Sequence, residues 1–311
     1  MIRTGIYNLR QFNPAALKDV FGKEKNISIE VYSQLNQVYD SQLKEGYAEI
    51  VLNRFNSSNN VIKRTYRNRF NSFDDMVIEI IQNLEISSPR IHDMAISDGR
   101  ASYYFLEKIQ NHFHDVEYHA SDLIISYTIH KKKSESSSYI VTDDNLNIIE
   151  ITVPPFVWNY ARKEGKLYFL NNLLKAYFKR KFYKLIIGKQ LKFRKTLPVV
   201  DYGFKSLLDK SDKNKLLNYN IFEKSHYQYN VIRAMNILHF GYFNPEQLNA
   251  VLDNVYESLL PDGILIEGSN EDVGSPVEGA VYRKTCTGFE LIISSDKPSR
   301  ISDIVLNYNK S

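Results

Sequence analysis

The chain has 311 residues, 43% of them hydrophobic, with a formal charge of +4 and a pI near 8.8. That length supports one large domain or two smaller ones with ample core, and so small an excess of charge does not by itself imply a nucleic-acid partner. The lone cysteine, Cys286, excludes an internal disulfide; with no signal-peptide core and no apolar run of bilayer length, a cytoplasmic protein is expected.

Residues 1–88 read as a helical N-terminal region. Asn13-Pro14 opens a helix through Phe21, closed by Gly22. Ile29 to Ala48 is moderately periodic, and Asn53 to Asn60 (N-R-F-N-S-S-N-N) is a polar break. The basic run Val61 to Arg69 reads as a solvated face. Ser72 is expected to cap a helix whose first turn holds Asp74 and Asp75.

Arg90 to Ser102 (R-I-H-D-M-A-I-S-D-G-R-A-S) is a short apolar strand followed by small residues at a step of two, Ala95, Ser97 and Gly99. A helical pattern over Arg100 to Phe113 places Ala101, Tyr104, Phe105 and Ile109 on one face. A strand, a turn of minimal side chains and a helix with free N–H groups at its start form a nucleotide-binding turn. Val116 to Ile124 reads as a second strand ending at Asp122, roughly 20 residues past the turn, where a carboxylate can accept two hydrogen bonds from a vicinal diol.

The alternation then breaks, and residues 125–214 read as an insertion. It holds a polar loop (K-K-K-S-E-S-S-S), a hairpin around Asp143-Asp144-Asn145, and an amphipathic helix over Leu167 to Ile187. That helix has Leu170, Leu173, Leu174, Tyr177, Phe178 and Leu185 near one stripe, with Lys175, Lys179 and Lys184 opposite. Strands are expected again at Lys215 to Phe222 and Asn230 to Leu238, then a helix over Pro245 to Leu260, a Pro261-Asp262-Gly263 turn and a fifth strand. An antiparallel pair around Thr287-Gly288 closes the chain. The fold expected is α/β: a doubly wound, mostly parallel Rossmann-like sheet over residues 89–311 with a terminal antiparallel hairpin.

Asp93-x-Ala95-x-Ser97-x-Gly99 resembles, by spacing and residue size, the first motif of class I S-adenosylmethionine-dependent methyltransferases, an acidic residue followed by Gly-x-Gly-x-Gly. The dinucleotide fingerprint fits worse, because its last glycine falls on Arg100. The segment from Asn230 to Gly268 is similar to that family's central portion. Within it, I-R-A-M-N-I-L followed by Tyr242-Phe243 is faintly similar to the Arg-Asn-Val-Leu segment of chemotaxis-receptor methyltransferases, although two residues separate Arg233 from Asn236 here.

The resemblance implies a methyltransferase with S-adenosylmethionine as cofactor, acting on a small-molecule or protein acceptor. It places Asp93, Ala95, Ser97, Asp98, Gly99 and Ser102 at the methionine end of the donor. Asp122 and Leu123 fall at the ribose and adenine, Asn220 and Ile221 near the adenine amino group, and Asn236 where donor and acceptor meet. His239 and Tyr242 are the candidates for a general base and Tyr177 for a contact to the acceptor, while Arg233 is either an anion contact to the acceptor or a strand residue paired to an acid elsewhere. Methyl transfer is an in-line displacement that needs alignment and desolvation rather than a triad.

Other features have blander readings. His112, His114, Asp115, Glu117 and His119 straddle a helix end and the next strand, so their faces diverge and no metal site is expected. Cys286 reads as a small buried apolar residue. The basic aromatic tract over residues 163–195 suits a lid or ordinary packing first, a weak membrane-surface contact second and nucleic acid third. The lost glycines leave open a noncatalytic binding or scaffold protein that kept the fold.

Overall fold

A computed structural model of the protein describes residues 4–13, 17–18, 24–54, 65–84, 86–133, 136–160, 169–188, 190–271 and 274–310. In chain order come strands β1 (Gly5–Ile6) and β2 (Asn26–Ile27), helices α1 (Ile29–Gln34), α2 (Ser41–Arg54) and α3 (Asn71–Asn83), strand β3 (Arg90–Met94), helix α4 (Tyr103–His112) and strand β4 (Glu117–Asp122). Strands β5 (Ser126–Lys131), β6 (Tyr139–Thr142), β7 (Ile148–Val153) and β8 (Phe156–Asn159) follow, then helix α5 (Phe169–Ile187), strand β9 (Phe193–Pro198) and helix α6 (Tyr202–Leu208). The chain ends with β10 (Lys215–Asn218), β11 (Tyr229–Met235), α7 (Pro245–Ser258), β12 (Leu259–Ser269), β13 (Glu278–Lys284), β14 (Phe289–Ser294) and α8 (Ser302–Asn307).

These elements form two compact units. One comprises Met1–Arg64 with Ser126–Val199, the other Thr65–Ile125 with Val200–Ser311. The expected boundaries at 88 and 214 both fall inside the second unit. The reason is packing: Phe73, Val77 and Ile81 of α3 and Phe204, Leu207 and Leu208 of α6 are buried in that unit's core.

The second unit is built on a seven-stranded sheet in the order β10-β4-β3-β11-β12-β13-β14. The first five strands are parallel, and β13 and β14 add an antiparallel pair. The central strands β3 and β11 are buried on both faces, as parallel strands between two helical layers must be. Helices α3, α4 and α6 cover one face, and α7 and α8 cover the other. Each fully buried aliphatic or aromatic side chain in these layers stabilises by about 1.5–3 kcal/mol. The doubly wound, mostly parallel architecture with its terminal hairpin is the expected one.

Local sequence explains several boundaries. Helix α7 opens with a capping box between Asn244 and Gln247 and has Pro245 in its first turn. Ser72 is not a cap: α3 starts at Asn71, and no side chain caps it. Asp74 instead turns inward, fully buried. Strand β12 runs through the expected Pro-Asp-Gly turn, which survives as a register shift on β11 with Asp262 at φ +59°. The short helix α8 follows the hairpin expected to close the chain. Residues 14–16, 19–23 and 55–64 lie outside the described residues, and with them most of the expected Pro14–Phe21 helix, most of the polar break and the start of the basic run.

The first unit holds a five-stranded antiparallel sheet in the order β8-β7-β6-β5-β9 and a short parallel pair, β1 and β2. The hairpin around Asp143-Asp144-Asn145 forms as read, joining β6 to β7. Helix α5 packs on this sheet through Phe178, stacked 4.9 Å from Trp158. The expected stripe splits: Leu174, Phe178 and Leu185 pack on the sheet, while Leu170, Leu173 and Tyr177 are exposed and Lys175 is buried. Cys286 is also exposed rather than buried. Among the described residues no helix is long and apolar enough to cross a membrane.

Candidate functional site

After β3 the chain lays β4 and β10 to one side, then returns to place β11 and β12 on the other. The winding direction therefore reverses between β3 and β11, and ligands of open α/β sheets bind outside the carboxyl ends of the strands at such a point. Register fixes what lies there. Ala234 pairs with Met94 and Asp93 with Ala120, so Ala95, Asn236 and Asp122 leave three adjacent strands along one edge. With neighbouring strands about 4.8 Å apart, that edge is about 10 Å wide.

The turn leaving β3 is left-handed at three alternate residues, Ala95 (φ +55°), Ser97 (φ +60°) and Gly99 (φ +83°). These are the three positions at which the resembled motif carries glycine. A non-glycine residue costs about 1–2 kcal/mol in this conformation, and such strain gathers at functional sites. Gly99 is required for a second reason: a Cβ there would lie 2.2 Å from Phe204 Cδ1. Gly99 thus serves packing against α6, while the partly exposed Ala95 and Ser97 border the edge.

Asp122 ends β4 and ties that strand to the turn. Its Oδ2 accepts the Ser97 N–H at 2.8 Å, and its Oδ1 accepts the Ile124 N–H at 3.1 Å. These two bonds orient the Asp122 carboxylate at the end of β4. Leu123 beside it is 48% exposed and offers an apolar surface at this edge. On the other side of β3, Asn236 is left-handed as well (φ +57°). Its Oδ1 accepts the Asn270 N–H at 3.0 Å. Arg69 grips Asn270 in turn, with Nε donating to Oδ1 at 2.6 Å and Nη2 to the carbonyl at 3.0 Å.

The remaining candidates are placed elsewhere. Asp93 is buried against Arg233, whose Nη1 donates to both carboxylate oxygens at 3.0 and 3.1 Å, and Tyr118 donates its hydroxyl to Oδ2 at 2.5 Å. Arg233 also forks onto Asp74 at 2.9 Å and lies over the Phe105 ring. Ser102 Oγ accepts from Arg233 Nη1 at 3.5 Å. Burial pushes Asp74 up, to about 7, against the pull of Arg233. Burial also works against the Arg233 charge, but Asp74 and Asp93 outweigh it and raise its pKa. Arg233 is therefore a core cation paired to acids, the second of the roles open to it, and not an exposed anion contact. Asp98 is buried and takes up Arg100 through the backbone N–H, Nε and Nη2.

Asn220 turns back on its own loop, accepting the Phe222 N–H and donating to Glu223, and Ile221 packs into the α7 core. His239 Nδ1 accepts the Gly241 N–H at 3.0 Å, and its ring lies 4.3 Å from that of Tyr242. Neutral His239 then carries its proton on Nε2, so its other ring nitrogen is a donor, the reverse of what a general base needs. Burial, with Arg300 nearby, lowers its pKa. Tyr242 is 53% exposed. Tyr177 belongs to α5 of the first unit.

In the histidine-rich stretch, His119 Nε2 lies 2.8 Å from Glu117 Oε1 and its Nδ1 bonds Tyr229, and Asp115 bonds Ser88 and Lys213. Among the described residues no group of three or more metal-type side chains converges. Asp115 and Glu117 line a cleft of about 470 Å³ with Arg90 and Lys213, at the amino ends of the parallel strands and so opposite the edge that holds Asp122.

Sequence reasoning missed Asp74, Tyr118, Arg69 and Asn270. Asp74, a first-turn acid between Phe73 and Asp75, gave no sign that it faces the core. Asn270 sits in a polar loop and gave none.

No family model matches the chain, and no curated protein matches it. Solved structures with which it shares likeness include the CMeT domain of the citrinin polyketide synthase, at 16% identity over 77% of this chain and 42% of that one, TM-score 0.35. Two others are the N-methyltransferase NodS from Bradyrhizobium japonicum WM9, at 11% identity over 66% of this chain and 71% of that one, TM-score 0.34, and an O-methyltransferase family protein from Burkholderia thailandensis, at 9% identity over 78% and 44%, TM-score 0.33. The chain spans under half the length of the first and third. The Rossmann-like assignment rests on the strand order and register above.

Proposed function

We propose that the sheet unit binds S-adenosylmethionine at the edge between β3 and β11 and catalyses transfer of its methyl group to an acceptor. One observation carries this reading: at the topological switch point, the Asp122 carboxylate holds the amide of Ser97 in a left-handed turn of small residues. The nucleoside end of the donor fits the residues present. Asp122 places a carboxylate at the edge for the ribose hydroxyls, Leu123 offers an apolar surface to the adenine, and Ala95 and Ser97 leave the backbone approachable.

The methionine end fits less well, because Asp93 and Asp98 are both engaged inside the core. When bound, S-adenosylmethionine supplies an activated methyl carbon, so the chain's own residues need only align the acceptor and exclude water. No step is given to His239, whose second ring nitrogen is a donor. A carboxylate acceptor, which needs no base, suits this edge best.

The burial of Asp93 by Arg233 favours a second reading, a noncatalytic nucleoside-binding protein on the same scaffold. Calorimetry with S-adenosylmethionine and S-adenosylhomocysteine, on the wild type and on Asp122→Ala, separates the outcomes. Micromolar binding lost in the variant, together with methylated product when acceptors are screened, supports the enzyme. Binding without product supports the second reading, and absence of binding to the wild type removes both.

A further inference from the structure

Helix α5 of the first unit packs on its own sheet through Leu174, Phe178, Phe182 and Leu185, yet it presents further apolar side chains to solvent. It buries two polar side chains, Asn171 and Lys175. Asn171 Oδ1 accepts the Trp158 indole N–H at 2.8 Å, and Lys175 Nζ donates to the Asn159 carbonyl at 2.8 Å. A second set of apolar residues points out: Phe169 is 60% exposed, Leu173 64%, Tyr177 59% and Ile187 65%. At 100° per residue these four fall within about 80° of one another, with Arg180 and Lys184 in the same arc between Tyr177 and Ile187, so the stripe is apolar over its first half and mixed with cations over its second.

The same outward side carries Arg180, Lys181 and Lys184, all exposed, and α5 contains no Asp or Glu at all. A contiguous apolar stripe on a soluble surface marks an interaction site. A stripe combined with unopposed cations is the composition of a helix lying in a membrane interface.

We infer that the outward face of α5 docks this protein on an anionic lipid bilayer. The helix lies parallel to the membrane plane: its five Lys and Arg residues exclude spanning, while Phe169, Leu173 and Tyr177 enter the headgroup–acyl boundary. Arg180, Lys181 and Lys184 meet lipid phosphates and carboxylates at the surface. Charge complementarity selects an anionic partner. The apolar first half of the stripe, which holds no cation on its outward side, selects lipid over nucleic acid, because stacking on bases would interleave aromatic and basic residues along the whole strand. The inference does not depend on the methyltransferase reading, since α5 lies in the other unit.

The test is co-sedimentation of the full chain with vesicles of phosphatidylcholine alone and with about one third phosphatidylserine. The expected result is partition onto the anionic vesicles only, weakening when salt is raised from about 0.1 to about 0.5 M. The triple variant Arg180→Gln/Lys181→Gln/Lys184→Gln loses about a hundredfold in partition, from about fivefold per cation. Phe169→Ser/Leu173→Ser loses about tenfold per side chain. Both variants change exposed positions and keep the wild-type circular dichroism spectrum and melting temperature.

Wild type that stays in the supernatant with both vesicle types overturns the proposal. So does anionic binding that the triple variant retains. It is equally overturned by a single-stranded oligonucleotide that binds more tightly than the vesicles and is insensitive to the apolar variant, or by a dimer in sedimentation that Phe169→Ser/Leu173→Ser dissociates while vesicle binding is absent.

Discussion

The Asp122 carboxylate accepts the Ser97 amide at 2.8 Å, so the end of one strand holds the turn that leaves its neighbour. That bond couples two positions that share the candidate ligand edge. Asp122→Ala removes the acceptor for two backbone N–H groups and is expected to cost about 1–3 kcal/mol of stability. It also removes the ribose contact, with at least a tenfold loss in nucleoside affinity, since each charge-assisted bond is worth about 1.5–3 kcal/mol. Asp122→Asn keeps one amide oxygen and falls between. Denaturant titration and calorimetry read both effects, and affinity unchanged in Asp122→Ala removes Asp122 from the site.

Ala95 and Ser97 stand where a glycine has no steric penalty. Ala95→Gly relieves the left-handed strain at some cost in chain entropy, for a net gain of about 0.5–1 kcal/mol. Ala95→Val, β-branched in the same conformation, loses at least about 1 kcal/mol. A urea midpoint that falls in Ala95→Gly contradicts the turn geometry described here.

Much of this edge was legible in the chain. Small residues at a step of two after a buried strand mark a turn with special backbone angles, and the distance to Asp122 followed from the length of one helix and one strand. What lay beyond reach was pairing across the fold. Arg233 meets Asp74 across 159 residues of sequence, and nothing local distinguishes a core-facing acid in a helix from one placed for the dipole. The division into units was hidden for a similar reason: α3 and α6 show helical periodicity but not which sheet they cover. The edge strand β9, F-R-K-T-L-P, is mostly exposed and lacks the alternation that betrays a strand. In α5 the apolar stripe was visible, but its direction was set by Lys175 reaching the Asn159 carbonyl.

Asp93 tests the difference between a ligand contact and a core ion pair. Arg233→Met strands Asp74 and Asp93 without their counter-charge and is expected to cost about 3–5 kcal/mol. Asp93→Asn keeps an acceptor for Tyr118 and leaves Arg233 paired to Asp74, so the protein folds with reduced stability. Its nucleoside affinity stays within about twofold of wild type, as for sites that share no partner. Calorimetry on folded Asp93→Asn decides this, and a tenfold loss of affinity there returns Asp93 to the ligand.

His92 makes the fold sensitive to acid. It is 1% exposed, with Nε2 2.8 Å from Ser121 Oγ and its ring stacked 4.7 Å from Tyr229. Burial, with His119 beside it, lowers its pKa from 6.5 to about 3. A base whose folded pKa is depressed stabilises fully above its unfolded value, and that stability is lost as pH falls from 6.5 through the folded value. Between pH 7 and pH 5 the loss amounts to about 2 kcal/mol, because the unfolded chain takes up a proton that the folded chain refuses. Glu150 and Glu267, raised by burial to about 7 and about 8, slope in the opposite sense, so the wild-type curve alone mixes both. The informative quantity is the gap between wild type and His92→Gln in urea titrations at the two pH values. That gap shifts in favour of the variant by about 2 kcal/mol on going from pH 7 to pH 5; a gap independent of pH means that His92 titrates in the folded protein as it does in water.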